Sequence, residues 1–320
     1  MSARKNPRDR QRVFKSANLN RGATEERVAG IVVCHLGKSL AVETDTGAII
    51  ACHTRRRLET AAVGDRVLWE PCEGGGRVME ILPRRSLLSR PARNGKTRPV
   101  VANLDRILVV FSVQPAVDFL LVDQYLVVCE NLKLDAVLVF NKIDLASRKD
   151  KMALAEELSI YRDNGYDIHS ISAKTGEGID NLKRTLKNHT SMLAGQSGVG
   201  KSSVTNAIMP DRNLRVGRLS ETSGHGKHTT TTTTLYHLPE GGDLIDSPGV
   251  AIFGLAETTG KDLAWGFREF HPYIPRCQFN DCRHIGDKGC AVLEAVESGA
   301  ISRKRYERFL KLREKLPKAG

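Results

Sequence analysis

The sequence predicts a multidomain protein with three parts: an N-terminal β-barrel of the oligonucleotide-binding (OB) type, a central α/β unit built on a phosphate-binding loop, and a C-terminal, mainly helical segment that holds a metal. Three observations carry that division. Five short apolar runs crowd into residues 28–90. Strands and helices alternate across residues 91–265, and four thiol and imidazole side chains cluster after residue 266.

Composition sets the outer limits. Hydrophobic residues make up 40% and charged residues 27%, enough for real cores in a soluble chain. No apolar run reaches a membrane span, and the charged N-terminus lacks the apolar centre of a secretory signal, so a cytoplasmic protein is expected. The net charge is +12 and sits mostly at the ends: residues 1–27 hold eight basic and three acidic side chains, residues 301–320 eight and two. Such ends suit a polyanion, nucleic acid being the common case, with solvated tails as the plainer alternative. Seven cysteines are an odd number, which argues against a full disulfide framework. Cys34, Cys52, Cys72 and Cys129 lie among apolar neighbours as reduced core residues.

Along the chain, residues 1–27 lack hydrophobic periodicity and read as a basic arm. Gly30–Cys34, Ser39–Glu43, Ala48–Cys52, Arg66–Trp69 and Arg77–Ile81 read as the barrel's strands. Trp69 is the only aromatic ring there, so Arg55, Arg56 and Arg57 are better placed to meet phosphates than any residue is to stack on bases. Residues 84–99, rich in Arg, Pro, Gly and Asn, read as a linker. Arg106–Phe111 and Ala136–Phe140 are then buried parallel-type strands, with a helix from about Ala116 to Asn131 between them. A helix over Arg148–Asn164, a strand at Asp167–Ile171 and a helix from Gly176 to Leu186 follow.

Sheets of this kind bind ligands at the C-terminal ends of their strands. Those ends carry the chemistry here. Asn141-Lys142-Ile143-Asp144 offers a carboxylate, Asp144, that can accept both guanine N1–H and the exocyclic amine, a donor pair adenine lacks. Asn141 can tie this loop to the phosphate loop, and Lys142 can lie against the base. Ser172-Ala173-Lys174 matches the companion loop, in which a backbone N–H meets guanine O6. Gly195-Gln196-Ser197-Gly198-Val199-Gly200-Lys201-Ser202 fits G-x-x-x-x-G-K-[ST] at every fixed position. Its glycines let backbone N–H groups cradle phosphate, Lys201 reaches the β- and γ-phosphates, and Ser202 ligates Mg²⁺. Ser203 continues into a helix ending near Ile208, its N-terminus facing the phosphates. The strand Asp243–Ile245 ends in Asp246-Ser247-Pro248-Gly249, a D-x-x-G in which Asp246 holds Mg²⁺ through water and the Gly249 N–H meets the γ-phosphate.

These are the motifs of GTPases, but the base-reading loops precede the phosphate loop, the reverse of the ordinary order. The sequence therefore predicts a circularly permuted P-loop α/β GTPase, which is feasible because domain termini lie close together. Val250 follows Gly249, where many GTPases carry a Gln that orients the attacking water. His228, with His225 and His237 as rivals, is the candidate to position that water instead. One threonine of the run Thr229–Thr234 reads as the sensor of Mg²⁺ and γ-phosphate. The valine also leaves open a second reading, an RNA-binding assembly protein that holds GTP or GDP without turning it over. Finally, Cys277, Cys282, His284 and Cys290, spaced C-x₄-C-x-H-x₅-C, form a closed, structural Zn²⁺ set. Helical periodicity returns from Ala291 to Leu316, around the basic Arg303-Lys304-Arg305.

Barrel, permuted GTPase and zinc segment, in this order, resemble the ribosome small-subunit-dependent GTPase A family of bacteria. The likeness covers nearly the whole chain. Its most specific elements are the permuted order, Gly226-x-His228-Thr229-Thr230-Thr231, Asp246-Ser247-Pro248-Gly249 and the zinc spacing. The resemblance implies guanine reading by Asn141, Lys142 and Asp144, phosphate binding by Gly195 through Ser203, and zinc at Cys277, Cys282, His284 and Cys290. It also implies a part in hydrolysis for His228 and the switch role for Thr230. By the same likeness the protein acts late in maturation of the small ribosomal subunit, binds its RNA, and hydrolyses GTP under that subunit's stimulus. Domains are expected at 1–27, 28–90, 91–265 and 266–320, in a monomer with no membrane partner.

Overall fold

A computed structural model describes residues 27–55, 58–91, 97–210, 233–247 and 258–316. The basic arm before Arg27, together with Arg56, Arg57, His225, Gly226, His228, Thr230, Gly249 and Val250, lies outside the described residues.

The five expected barrel strands are β1 (Val28–Leu36), β2 (Ser39–Thr44), β3 (Ile49–Thr54), β4 (Arg66–Cys72) and β5 (Gly75–Ile81). They run in the order β1-β2-β3-β5-β4, and β4 pairs back onto β1, which closes the barrel. Val32, Leu40, Val42, Cys52, Val67, Trp69 and Val78 fill the interior. Trp69 fits because glycines leave room: a Cβ on Gly76 would lie 2.7 Å from its ring. The indole is packing and presents no face to a base.

Residues 84–99 are more than a linker. β6 (Leu87–Pro91) and β7 (Thr97–Ala102) pair as an antiparallel hairpin, with Leu88 and Val101 buried. The Arg, Pro and Gly content of the stretch concealed that inward alternation. The hairpin and its flanks bind barrel to α/β unit. Arg84 grips the fully buried Asp65 with two bonds of 2.7 and 2.8 Å, and Asn103 Nδ2 donates to the Gly64 carbonyl at 2.9 Å.

The α/β sheet contains β8 (Arg106–Ser112), β9 (Asp135–Asn141), β10 (Asp167–Ser170), β11 (Thr190–Ala194), β12 (Thr234–His237) and β13 (Asp243–Asp246). Their order is β10-β9-β8-β11-β13-β12, parallel except for β12. Helices α1 (Phe119–Leu132) and α2 (Arg148–Asp163) cover one face, α3 (Ile179–Leu186) and α4 (Lys201–Ile208) the other. β8 shows why this strand must be apolar throughout. Ile107, Val109 and Phe111 pack toward α1 and α2, whereas Leu108 and Val110 pack toward α3 and α4.

β12 was hidden in the sequence because it begins inside the threonine run. It joins the two domains, running antiparallel to β13 while Thr234 pairs with Cys34 of β1. At its far end His237 lies between Asp243 Oδ1, at 2.6 Å, and Glu43 Oε2 of the barrel, at 2.9 Å. Those two carboxylates raise its pKa to about 10.

The C-terminal part holds α5 (Gly260–Trp265), α6 (Ala291–Glu297) and α7 (Arg303–Glu314). The single helix expected over Ala291–Leu316 is two, separated at Gly299, whose φ of 80° no continuing helix tolerates. Val127 of α1 shares one core with Phe267, Phe270, Phe309 and Leu312. Arg305, 1% exposed, ion-pairs with the fully buried Asp123 of α1 and, at 2.6 Å, with Glu269. Burial opposes its charge, but those two carboxylates outweigh it and hold the guanidinium pKa well above the usual value. The Tyr161 hydroxyl donates to Asp123 at 2.6 Å, and Arg308 and Lys304 pair with Glu157 of α2. Three of the C-terminal cations read as an RNA grip are therefore committed to the protein's own carboxylates.

Arg305→Ala would leave the fully buried Asp123 without its closest cation, held only by the Tyr161 hydroxyl and the longer Arg308 contact at 3.9 Å. The expected loss in urea unfolding is about 3–5 kcal/mol. Lys304→Ala, at an exposed pair, should move the midpoint far less.

Candidate functional site

The predicted motif residues lie at the C-terminal ends of neighbouring parallel strands. Asn141 ends β9, Ser172 follows β10, Gly195 follows β11 and Asp246 ends β13. Sheet order thus lays the loops expected to read the base, bind phosphate and bind metal side by side, although the chain meets them in a permuted sequence.

Asn141 is the hub. Its side chain is 1% exposed; Nδ2 donates to the Val199 carbonyl at 3.0 Å, and Oδ1 accepts the Ala173 N–H at 3.1 Å. One amide therefore holds both base loops and the phosphate loop. Lys142 reinforces it, its ammonium donating to the carbonyls of Gly198 and Gln114, each at 2.6 Å. Only the aliphatic stem is left to lie along a base. Asp144 is exposed, and one of its oxygens accepts the Ser172 hydroxyl at 2.7 Å. That hydrogen bond, helped by the charges of Lys174 and Lys142, holds its carboxyl below the usual range. An ionised double acceptor is what guanine's two donors require.

In the phosphate loop the glycines answer to backbone demands. Gly195 has φ 136°, and a Cβ there would stand 2.1 Å from the Val110 carbonyl oxygen. Gly200 has φ 94°, and a Cβ would meet Asn141 Nδ2 at 2.5 Å, so the loop and the hub amide exclude any side chain together. Lys201, first residue of α4, turns back on the loop, its ammonium donating to the carbonyls of Gly195 and Gln196 at 2.7 and 2.8 Å. Burial lowers its pKa, with Asp246 opposing. Gln196, Ser197, Ser202 and Ser203 are all solvent-accessible at the same strand end. Beside Asp246, Ser247 bonds to Thr233 at 2.7 Å.

His237 is removed as a rival to His228. Both its ring nitrogens are engaged by carboxylates, and it pairs with Asp243, at the opposite end of β13 from Asp246. The Gln114 carbonyl was missed because a backbone acceptor leaves no signature in residue type.

Cys277, Cys282, His284 and Cys290 bring their ligand atoms within 4.8 Å of one another. His284 Nδ1 lies 3.6 Å from Cys277 Sγ and 3.5 Å from Cys290 Sγ. Metal bonds of about 2.1 and 2.3 Å at tetrahedral angles place such atoms about 3.6 Å apart, so the donors fit one ion. Burial lowers the His284 pKa and favours the neutral, ligating imidazole. The Tyr306 hydroxyl donates to the His284 carbonyl at 2.8 Å, tying the cluster to α7.

A sheet of this order with these loops defines a circularly permuted P-loop GTPase. Comparison with known proteins gives its family. The RsgA GTPase family model matches residues 81–256. The small ribosomal subunit biogenesis GTPase RsgA of Haemophilus influenzae is 44% identical over 296 residues, covering 91% of this chain and 86% of the relative. The same-named protein of Ectopseudomonas mendocina is 42% identical over 293 residues, covering 90% and 85%. Among solved structures, YjeQ from Thermotoga maritima superposes with a TM-score of 0.75 at 37% identity, over 90% of this chain and 98% of the other. YloQ, a circularly permuted GTPase, does so with 0.72 at 27% identity, over 94% and 100%. The chain belongs to the RsgA GTPase family.

Elemental analysis of purified protein should return one divalent metal ion per chain, absent from Cys282→Ser. Hydrogen exchange in that variant should rise in residues 277–290, with α7 still protected by its Arg305 clamp.

Proposed function

We propose that this GTP-hydrolysing enzyme is a biogenesis factor of the small ribosomal subunit, binding its RNA and stimulated by it. The observation that carries the reading is the Asn141 hub, which gathers two guanine loops and a phosphate loop into one site. The naming of the 44%-identical Haemophilus influenzae relative supplies the ribosomal part.

Within that reading Asn141, Lys142 and Asp144, with Ser172, Ala173 and Lys174, select guanine. Gly195 through Ser203 wrap the phosphates. Lys201 neutralises charge that gathers on the β–γ bridging oxygen as the bond from that oxygen to the γ-phosphorus breaks and water oxygen bonds to the phosphorus, the water's proton passing to a phosphate oxygen or to solvent. GDP leaves with the electron pair. Ser202 and Asp246 are the residues to hold Mg²⁺, which supplies charge neutralisation at the phosphates when bound. Gly249, Thr230 and His228 take the γ-phosphate contact, the switch role and the placing of water, with Val250 unable to do the last. The metal of the Cys₃His cluster is zinc, whose preference for thiolate and imidazole in a closed set matches the donors. The protein works in the cytoplasm as a monomer, through the four domains named from sequence.

Its RNA contacts draw on the N-terminal arm and the exposed Arg55, while α7, with Lys304, Arg305 and Arg308 committed to carboxylates, adds its exposed Arg303 and Lys311. Single-turnover hydrolysis with and without purified small subunits tests the proposal. A rise of about tenfold or more with small subunits, and none with large ones, is expected, a threshold well below the roughly 10³- to 10⁵-fold that a supplied transition-state group can give. Equal rates under all conditions would overturn the ribosomal reading.

A further inference from the structure

We propose that Ser112, outside every nucleotide-binding motif, is a positioning residue for the guanine site and acts through Lys142. The inference rests on the guanine-site reading above. β8 lies between β9, which carries the base loop, and β11, which carries the phosphate loop, and Ser112 at its end pairs in register with Asn141. A hydroxyl in such a place needs a partner, for Ser112 is fully buried. It finds one in the Gln114 carbonyl, donating at 2.8 Å.

That carbonyl is also one of the two acceptors of the Lys142 ammonium, at 2.6 Å; the other is Gly198 of the phosphate loop. Pro115 closes the arrangement, lying 3.6 Å from where a Cβ on Gly198 would stand. Lys142 therefore spans two turns, and Ser112 aims one of its two anchors. A lysine stem is long and freely rotating, so it keeps one line along a base only if both carbonyls stay aimed at its ammonium. Lys142 also holds a left-handed backbone, φ 62°, which surrounding contacts must maintain. Asp144 takes its orientation from Ser172 instead. Ser112 should thus set how tightly guanine nucleotides are held without setting which base is chosen.

The test is GDP and GTP binding, with GDP dissociation rates, for wild type, Ser112→Ala, Ser112→Thr, Lys142→Met and the double variant Ser112→Ala/Lys142→Met. Ser112→Ala should weaken GDP and GTP alike by about 5- to 10-fold, through faster dissociation, as loss of a bond supporting a charged group does. The preference for guanine over xanthine nucleotides and the melting temperature of the nucleotide-free protein should stay as in wild type. Ser112→Thr, which keeps the hydroxyl, should restore binding. In the Lys142→Met background the alanine change should cost less than about twofold, because the partner it serves is gone. Wild-type affinity in Ser112→Ala, or an equal loss in both backgrounds, would overturn the proposal. A wild-type protein that binds no GDP would instead remove the guanine-site reading beneath it.

Discussion

Two hydrogen bonds from one buried amide hold this site together. Asn141 reaches Val199, 58 residues on, and receives Ala173, 32 residues on, so three loops take their relative places from a single side chain. Only an amide serves, because one partner needs a donor and the other an acceptor. A carboxylate would set its oxygen against the Val199 carbonyl, and both groups would be buried with no water to relieve them. The empty Cβ position of Gly200 belongs to the same constraint, since any side chain there would displace the amide. Around that point the sheet need only deliver strand ends in the right lateral order.

Lateral order is what permutation leaves untouched. Parallel strands are fixed by ladder bonds and by apolar packing on two faces, and neither depends on where the chain is cut. The rearranged termini serve other ends here. The N-terminal barrel docks at the β12 edge through Cys34 and Glu43, and the C-terminal segment docks on α1 through Asp123 and Val127. Both attachments combine apolar burial with ion pairs, partly exposed at His237–Glu43 and fully shielded from solvent at Arg305–Asp123, so barrel and metal cluster hold fixed positions about the α/β unit. Arg305 and Arg308 of α7 face inward for this reason, and net charge counted along the chain overstated what that end offers a polyanion.

Most of the fold was legible because each part obeys a simple periodicity. The barrel strands alternate, β8 and β9 are apolar throughout because both faces are covered, and the motif loops follow at strand ends. The failures share a cause. Leu88 and Val101 alternate correctly, but surrounding Pro, Arg and Gly residues disguise a hairpin as a linker. β12 is a four-residue strand that begins in threonine repeats, and its stability comes from β13 and the barrel, which no local window contains. Arg305 reads as a solvated cation until its carboxylate partner, 182 residues away, is brought beside it. Among the described residues, the side chains named from sequence lie together at the strand ends, whereas a backbone carbonyl such as that of Gln114 leaves no mark in residue type.

The account stands or falls on guanine being read by a loop that precedes the phosphate loop in the chain. The direct measurement is equilibrium titration of GTP and xanthosine triphosphate into wild type and Asp144→Asn. An amide at position 144 loses an acceptor for guanine's donors and gains a donor for the 2-oxo group of xanthine. The account predicts that GTP binding falls on the order of tenfold or more, the cost of unpaired donors, while xanthosine triphosphate becomes the preferred ligand. Unchanged GTP affinity with the original preference intact would contradict it.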